Sequence, residues 1–181
     1  MNYPIPTHLK NILSVDKSKT DNSNLNGRIK CDCGCEIFAV LQNENRDCEN
    51  TENIIEYSEI NGFTVAGDGS KVIAVCKNCQ KKHLIFDEAA QGYNGFVCGD
   101  FKSASDDSLV FLKCLKCNTS YFSMVLDIEI EDKEQFIEEC VTVYPDRFSP
   151  DDYVDSFDWI TITVCCDNCK VKNEFLNLEL S

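Results

Sequence analysis

Four short cysteine pairs constrain this chain more than any other feature of it. Cys31-Asp32-Cys33 comes first, followed by Cys76-Lys77-Asn78-Cys79, Cys114-Leu115-Lys116-Cys117 and Cys166-Asp167-Asn168-Cys169. In all, 13 of 181 residues are cysteine, close to the level that marks a cysteine-built scaffold. Such an excess serves disulfides, redox chemistry or metal binding. Met1 to Thr20 holds no apolar stretch of the secretory kind, which predicts a cytoplasmic, reducing setting where disulfides rarely persist. The cysteine count is odd, so complete pairing within one chain is impossible. The spacing favours metal. A tight turn with cysteines two or three apart brings two thiolates to one side, and a second turn supplies the other two. A tetrahedral zinc needs four such sulfurs at about 2.3 Å. One C-x-x-C also serves thioredoxin-like redox sites, but four pairs suffice for two four-cysteine centres. Zn²⁺ is the expected ion, two per chain. Iron in a rubredoxin-like site uses similar spacing and stays open. The usual gap between pairs is about 15–20 residues, whereas Cys33 to Cys76 and Cys117 to Cys166 each span more than 40. Long insertions must separate the turns.

An internal repeat selects the pairing. With Cys33 set on Cys117, Lys30-Cys31-Asp32-Cys33 lies against Lys113-Cys114-Leu115-Lys116-Cys117, one residue shorter, and Phe38 matches Phe122. With Cys76 set on Cys166, Val72-Ile73-Ala74-Val75 lies against Ile162-Thr163-Val164-Cys165, and Asn78 matches Asn168. Each half reads knuckle, strand, insertion, strand, knuckle, strand. The expected ligand sets are therefore Cys31, Cys33, Cys76 and Cys79, then Cys114, Cys117, Cys166 and Cys169. Cys35 falls opposite Thr119 and Cys165 opposite Val75, so neither is a required ligand by this alignment. Cys35 remains the main rival for the first set. Cys165 is expected to point into the sheet as a small hydrophobe, and Cys48, Cys98 and Cys140 to be buried structural cysteines.

This order resembles the zinc ribbon, in which two knuckles cap β-hairpins and grip one zinc. The likeness covers the knuckles and their flanking strands, about half the chain. Cys76-Lys77-Asn78-Cys79 through Leu84-Ile85-Phe86-Asp87 to Gly92-Tyr93-Asn94-Gly95 is also similar to small bacterial tandem zinc-ribbon proteins. The resemblance implies fold and metal but no activity, because ribbons serve many functions.

The remaining sequence predicts a mainly β chain. Val-, Ile-, Phe- and Thr-rich runs mark strands at Glu36–Gln42, Gly62–Ala66, Lys71–Val75, His83–Asp87, Leu109–Lys113, Tyr121–Ile130, Trp159–Cys165 and Asn173–Leu180. Gly67-Asp68-Gly69 reads as a hairpin turn. One short helix is expected at Lys133–Val141, with Asp132 as N-cap, Gln135 completing a capping box, and Phe136, Ile137, Cys140 and Val141 as its apolar stripe. The organisation predicted is a loose polar arm at 1–26, a first ribbon-like half at 27–90, a connection at 91–108 and a second half at 109–181. An acidic insertion occupies 127–158 of that second half.

Net charge is −14, and 127–158 alone contributes 2 − 12 = −10. Nucleic-acid affinity comes mostly from Lys and Arg neutralising phosphates, so the balance disfavours nucleic acid and favours a protein partner, a basic one, at the acidic segment. No run approaches the roughly 18 apolar residues of a membrane span. The two histidines, His8 and His83, match no metalloprotease motif, and no P-loop, G-x-S-x-G or dinucleotide fingerprint is present. His83 reads as a surface strand residue. Catalytic zinc keeps an open position, whereas complete cysteine sets argue for closed, structural sites. The expectation is a non-catalytic interaction protein. A nucleic-acid-associated ribbon and a thiol- or metal-responsive switch are the alternatives.

Overall fold

A computed structural model describes residues 3–43 and 69–180. Among them, nine strands form one curled antiparallel sheet. These are β1 (Leu13–Val15), β2 (Asn24–Ile29), β3 (Phe38–Asn43), β4 (Lys71–Cys76), β5 (Lys82–Asp87), β6 (Leu109–Phe111), β7 (Tyr121–Glu129), β8 (Trp159–Cys166) and β9 (Lys172–Glu179). The order is β1-β2-β7-β3-β4-β5, with β8 on the other flank of β7, β9 beyond β8, and β6 beside β3. The mainly β prediction holds. The strand proposed at Gly62–Ala66, most of the turn at Gly67-Asp68-Gly69, and Cys48 lie outside the described residues. No helix among the described residues is long and apolar enough to cross a membrane.

Alternation builds the core. In β7, Met124, Leu126 and Ile128 are at most 2% exposed, while Asp127 and Glu129 face solvent. In β8, Ile160, Ile162, Val164 and Cys166 are buried in the same rhythm. Phe38, Phe86 and Phe157 fill the centre.

The N-terminal segment is not a loose arm. Leu9, Ile12, Leu13 and Leu25 belong to the main core. β1 and β2 form a hairpin, and β2 pairs with β7 from Asn24↔Glu129 to Arg28↔Val125. The polar residues that suggested disorder are its turn chemistry. Asp16 Oδ1 accepts from the Ser18 N–H at 3.0 Å, and Asp21 Oδ1 from the N–H groups of Ser23 and Asn24 at 2.9 and 2.8 Å. Asp side chains closing the backbone in this way favour turns over helix or disorder.

The predicted helix forms as α1 (Lys133–Phe136) and widens into a π turn over Ile137–Val141. Asp132 caps it, its carboxylate accepting from the N–H groups of Glu134 and Gln135. The reciprocal half of the capping box is absent, because the Gln135 amide donates to Glu139 instead. Phe136 and Cys140 join Val97 and Phe148 in a satellite core. Val97 comes from a turn at Tyr93–Cys98. A Cβ at Gly95 in that turn would sit 1.8 Å from the Glu88 carbonyl oxygen, so only glycine fits.

The repeated halves meet at equivalent residues. Phe38 faces Cys76 as Phe122 faces Cys166, and Phe38 and Phe122 face each other. The row Cys76–Phe38–Phe122–Cys166 crosses four strands, so both cysteine groups lie at the same end of the sheet.

Candidate metal centres

Each cysteine group grows out of two tight turns with one construction. The residue after the second cysteine takes a left-handed backbone: Gly34 (φ 85°), Gln80 (60°), Asn118 (59°) and Lys170 (61°). In three knuckles the N–H of that residue donates to the carbonyl of the first cysteine, from Gln80 to Cys76, Asn118 to Cys114 and Lys170 to Cys166, at 2.7–3.1 Å. The first knuckle is one residue shorter, and Gly34 donates to Cys31 at 2.8 Å. The reversed chain directs the N–H two residues beyond each second cysteine at its sulfur, from Cys35, Lys81, Thr119 and Val171.

The eight predicted residues come together as predicted in two groups, Cys31, Cys33, Cys76 and Cys79, and Cys114, Cys117, Cys166 and Cys169. Within each group the four Sγ atoms lie within 4.8 Å of one another. The short separations are 3.5 Å for Cys31–Cys79, Cys33–Cys76 and Cys114–Cys169, and 3.4 Å for Cys117–Cys166. A tetrahedron with metal–sulfur bonds of about 2.3 Å has edges of about 3.8 Å, a few tenths of an ångström above the short separations and inside the 4.8 Å limit. A disulfide, at about 2.05 Å, is not formed. Both groups can hold a metal ion.

The acid–base character of the sulfurs fits a cation. Burial pushes the Cys76 thiol up, but the N–H groups of Cys79 and Asn78 and the adjacent sulfurs outweigh it and bring it down to about 6. The Thr119 N–H leads in lowering Cys117 to about 6. Burial raises Cys31 to about 12. Cys169 also lies at about 12, because burial and the other three sulfurs overcome the Val171 N–H. Each group thus favours one thiolate readily and holds another sulfur protonated. A divalent cation removes that conflict by replacing protons with metal bonds.

Sequence reasoning missed His83. It is 7% exposed, not a surface residue, and its Nε2 lies 3.2 Å from Cys31 Sγ. Its ring stands edge-on to Phe38. Its register partner is Ala74, two residues before Cys76, and Asn173 holds the same place opposite Val164. With Cys76 set on Cys166, His83 falls on Asn173, so this difference between the halves is readable in the sequence. Asn78 and Asn168, also matched by the repeat, donate to Cys33 and Cys117 respectively.

The spare cysteines divide. Cys35 Sγ turns to the backbone of Ile37, outside the first group. Cys165 does not point into the core. It occupies the half-open face of β8, its sulfur 3.7 Å from the Lys170 carbonyl, because Cys166 takes the buried register position. Cys140 is buried as expected, but Cys98 is exposed at the end of its turn.

The structure therefore defines a mainly β protein with two four-cysteine groups at metal-binding distances. No protein-family model, curated protein or solved structure matches the chain.

Proposed function

We propose that this chain is a non-catalytic interaction protein of zinc-ribbon character, clamped by two structural zinc ions. The observation that carries the reading is the completeness of both sulfur sets. Four cysteines on rigid knuckles fill a tetrahedral zinc and leave no position for substrate, unlike catalytic zinc with three protein ligands and an open site. The acidic segment 127–158 is the docking region for a basic protein partner, supported by its net charge of 2 − 12 = −10. Elemental analysis of carefully prepared protein should return two zinc per chain, and a colourless preparation would separate zinc from iron. One metal or none would end the two-centre reading. Reversing charges at Glu134, Glu138, Asp146 and Asp152, none of which is buried, should abolish capture of basic partners. Partners indifferent to that change would remove the acidic segment from the function.

A further inference from the structure

The charges of this acidic chain are unevenly divided along its sequence. The four knuckle segments, 30–37, 76–82, 113–118 and 166–172, hold 8 lysines against 3 acidic residues, a net of 8 − 3 = +5. The rest of the chain carries −14 − 5 = −19. All eight lysines are exposed. Lys82, Lys113, Lys116 and Lys172 have neither an ion pair nor a side-chain hydrogen bond among the described residues, so their charges are uncommitted. Lys77 pairs with Asp167 at 3.0 Å and also lies 4.9 Å from the centre of the Tyr121 ring.

The acidic insertion leaves from the opposite end of β7, at Glu129. Eight residues of strand separate Glu129 from Tyr121, about 27 Å at about 3.4 Å per residue. The Debye length at physiological salt is about 8 Å, so the acidic end is screened from anything bound at the knuckles. Net charge therefore does not govern this surface. Two metal centres of four thiolates would each bring −2, leaving the knuckle segments near +1 overall; all eight lysines are exposed, whereas of the eight sulfur ligands only Cys33 and Cys79 are.

The sheet face beside these lysines carries exposed rings. Residues directly opposed across strands point to one face. The row Lys82–Val75–Ala39–Tyr121 looks away from the core, since Cys76, Phe38 and Phe122 occupy the buried face. The next row on that face is Leu84–Ile73–Leu41–Phe111, in which Ile73 is covered, Leu84 and Leu41 are half-buried and Phe111 is open. The two rows end on the same flank of β3 in Tyr121, 37% exposed, and Phe111, 53% exposed. They stand two residues apart along β3, about 7 Å. Leu115, 78% exposed, sits between Lys113 and Lys116 at the knuckle tip.

We propose that this knuckle-end face binds single-stranded nucleic acid, with the free lysines on phosphates and Tyr121 and Phe111 stacking on bases. Uncommitted ammonium groups around exposed rings on a sheet are what a single strand requires, and paired bases in a duplex cannot reach such rings. An acidic polypeptide would engage the lysines but has no use for the two rings. The inference concerns a different surface from the acidic docking region and stands independently of that partner.

The test is fluorescence anisotropy of the full, metal-loaded chain with labelled single strands of about 20 nucleotides, RNA and DNA, set against duplex and poly-glutamate. Four lysine–phosphate contacts predict a log–log salt slope of about −3, so affinity should fall roughly 50-fold between about 50 and about 200 mM salt. Lys113→Gln with Lys116→Gln should flatten that slope by about 1.4. Phe111→Ala and Tyr121→Ala should each weaken binding between about fivefold and a hundredfold while leaving the slope unchanged. Metal content of two per chain confirms that each variant is intact. Three results would overturn the proposal: no binding at the lower salt, poly-glutamate or duplex bound as well as single strand, or affinity indifferent to both rings in intact variants. The second would point to an acidic protein or to charge alone.

Discussion

The two cysteine groups are built on one plan but differ in three particulars. The first has a knuckle shortened by one residue, so that the Cys31 N–H closes on Cys35 where Cys114 closes on Thr119. It exposes Cys33 and Cys79, whereas Cys117 and Cys169 are half-covered. It also has a buried histidine on Cys31 where the second has a solvent-exposed Asn173. A tetrahedron of sulfurs tolerates a shorter turn, because the left-handed residue after the second cysteine re-aims the backbone either way. What changes is the shell around the sulfurs. Partners that orient and hydrogen-bond ligands typically govern metal affinity by about 10- to 100-fold, so the two centres should differ in how tightly they hold their ions.

The largest test of this comparison removes one centre at a time. Cys79→Ser should lose the first metal and keep the second, and Cys169→Ser the reverse. Structural zinc contributes roughly 10–16 kcal/mol of apparent binding free energy in small fingers, comparable to a whole domain's stability of about 5–15 kcal/mol. Each variant should therefore loosen its own strands, with hydrogen exchange rising in β3–β5 for Cys79→Ser and in β7–β9 for Cys169→Ser. Equal loosening of both halves in either variant would mean that the centres act as one unit. A smaller effect isolates the histidine. His83→Phe keeps a ring beside Phe38 but removes the nitrogen from Cys31, and should weaken the first metal about 10- to 100-fold in chelator competition with the second unchanged. Asn173→His offers the second centre the same group and should tighten it. If both substitutions leave both affinities alone, the asymmetry at this register has no energetic meaning.

The smallest effect lies in the left-handed positions. Non-glycine residues there cost about 1–2 kcal/mol, less for asparagine, whose side chain tolerates the conformation. Gln80→Gly should therefore stabilise the loaded protein by about 1 kcal/mol in a denaturant titration, and Asn118→Gly by less. An equal gain at both positions would show that asparagine brings no advantage in these turns.

Local patterns were legible in the sequence. The eight clustered cysteines come from spacings of two or three residues, and Phe38, Phe122, Asn78 and Asn168 keep the equivalence that the repeat assigned to them. Asp132 was readable as a cap because its partners are its immediate neighbours. Features that depend on distant partners were not readable. Leu9 and Leu25 are isolated apolar residues in a polar stretch, and β2 becomes a strand by pairing with β7 about a hundred residues later. His83 lies 52 positions from the sulfur it touches. The alternation of Ile160, Ile162 and Val164 continues without a slip to Cys166, so the outward place of Cys165 is legible in the sequence, against the expectation that it points into the sheet. Cys98 is exposed because the Tyr93–Cys98 turn ends there, a geometry with no periodic signature.

The pairing of β2 with β7 also decides what the chain can be divided into. The hairpin that precedes the first knuckle lies on the sheet of the second repeat, with five residue pairs joining Asn24–Arg28 to Val125–Glu129, whereas β3 meets β7 over only Phe38 and Ala39. Severing the backbone within 91–108 would leave an N-terminal piece carrying a strand that the other piece lacks, and a C-terminal piece with a vacant edge on β7 shaped for that strand. Neither piece is self-sufficient, and each is the template for the other. The chain is thus suited to reconstitution from two fragments, with β2 as the tongue and the flank of β7 as the groove.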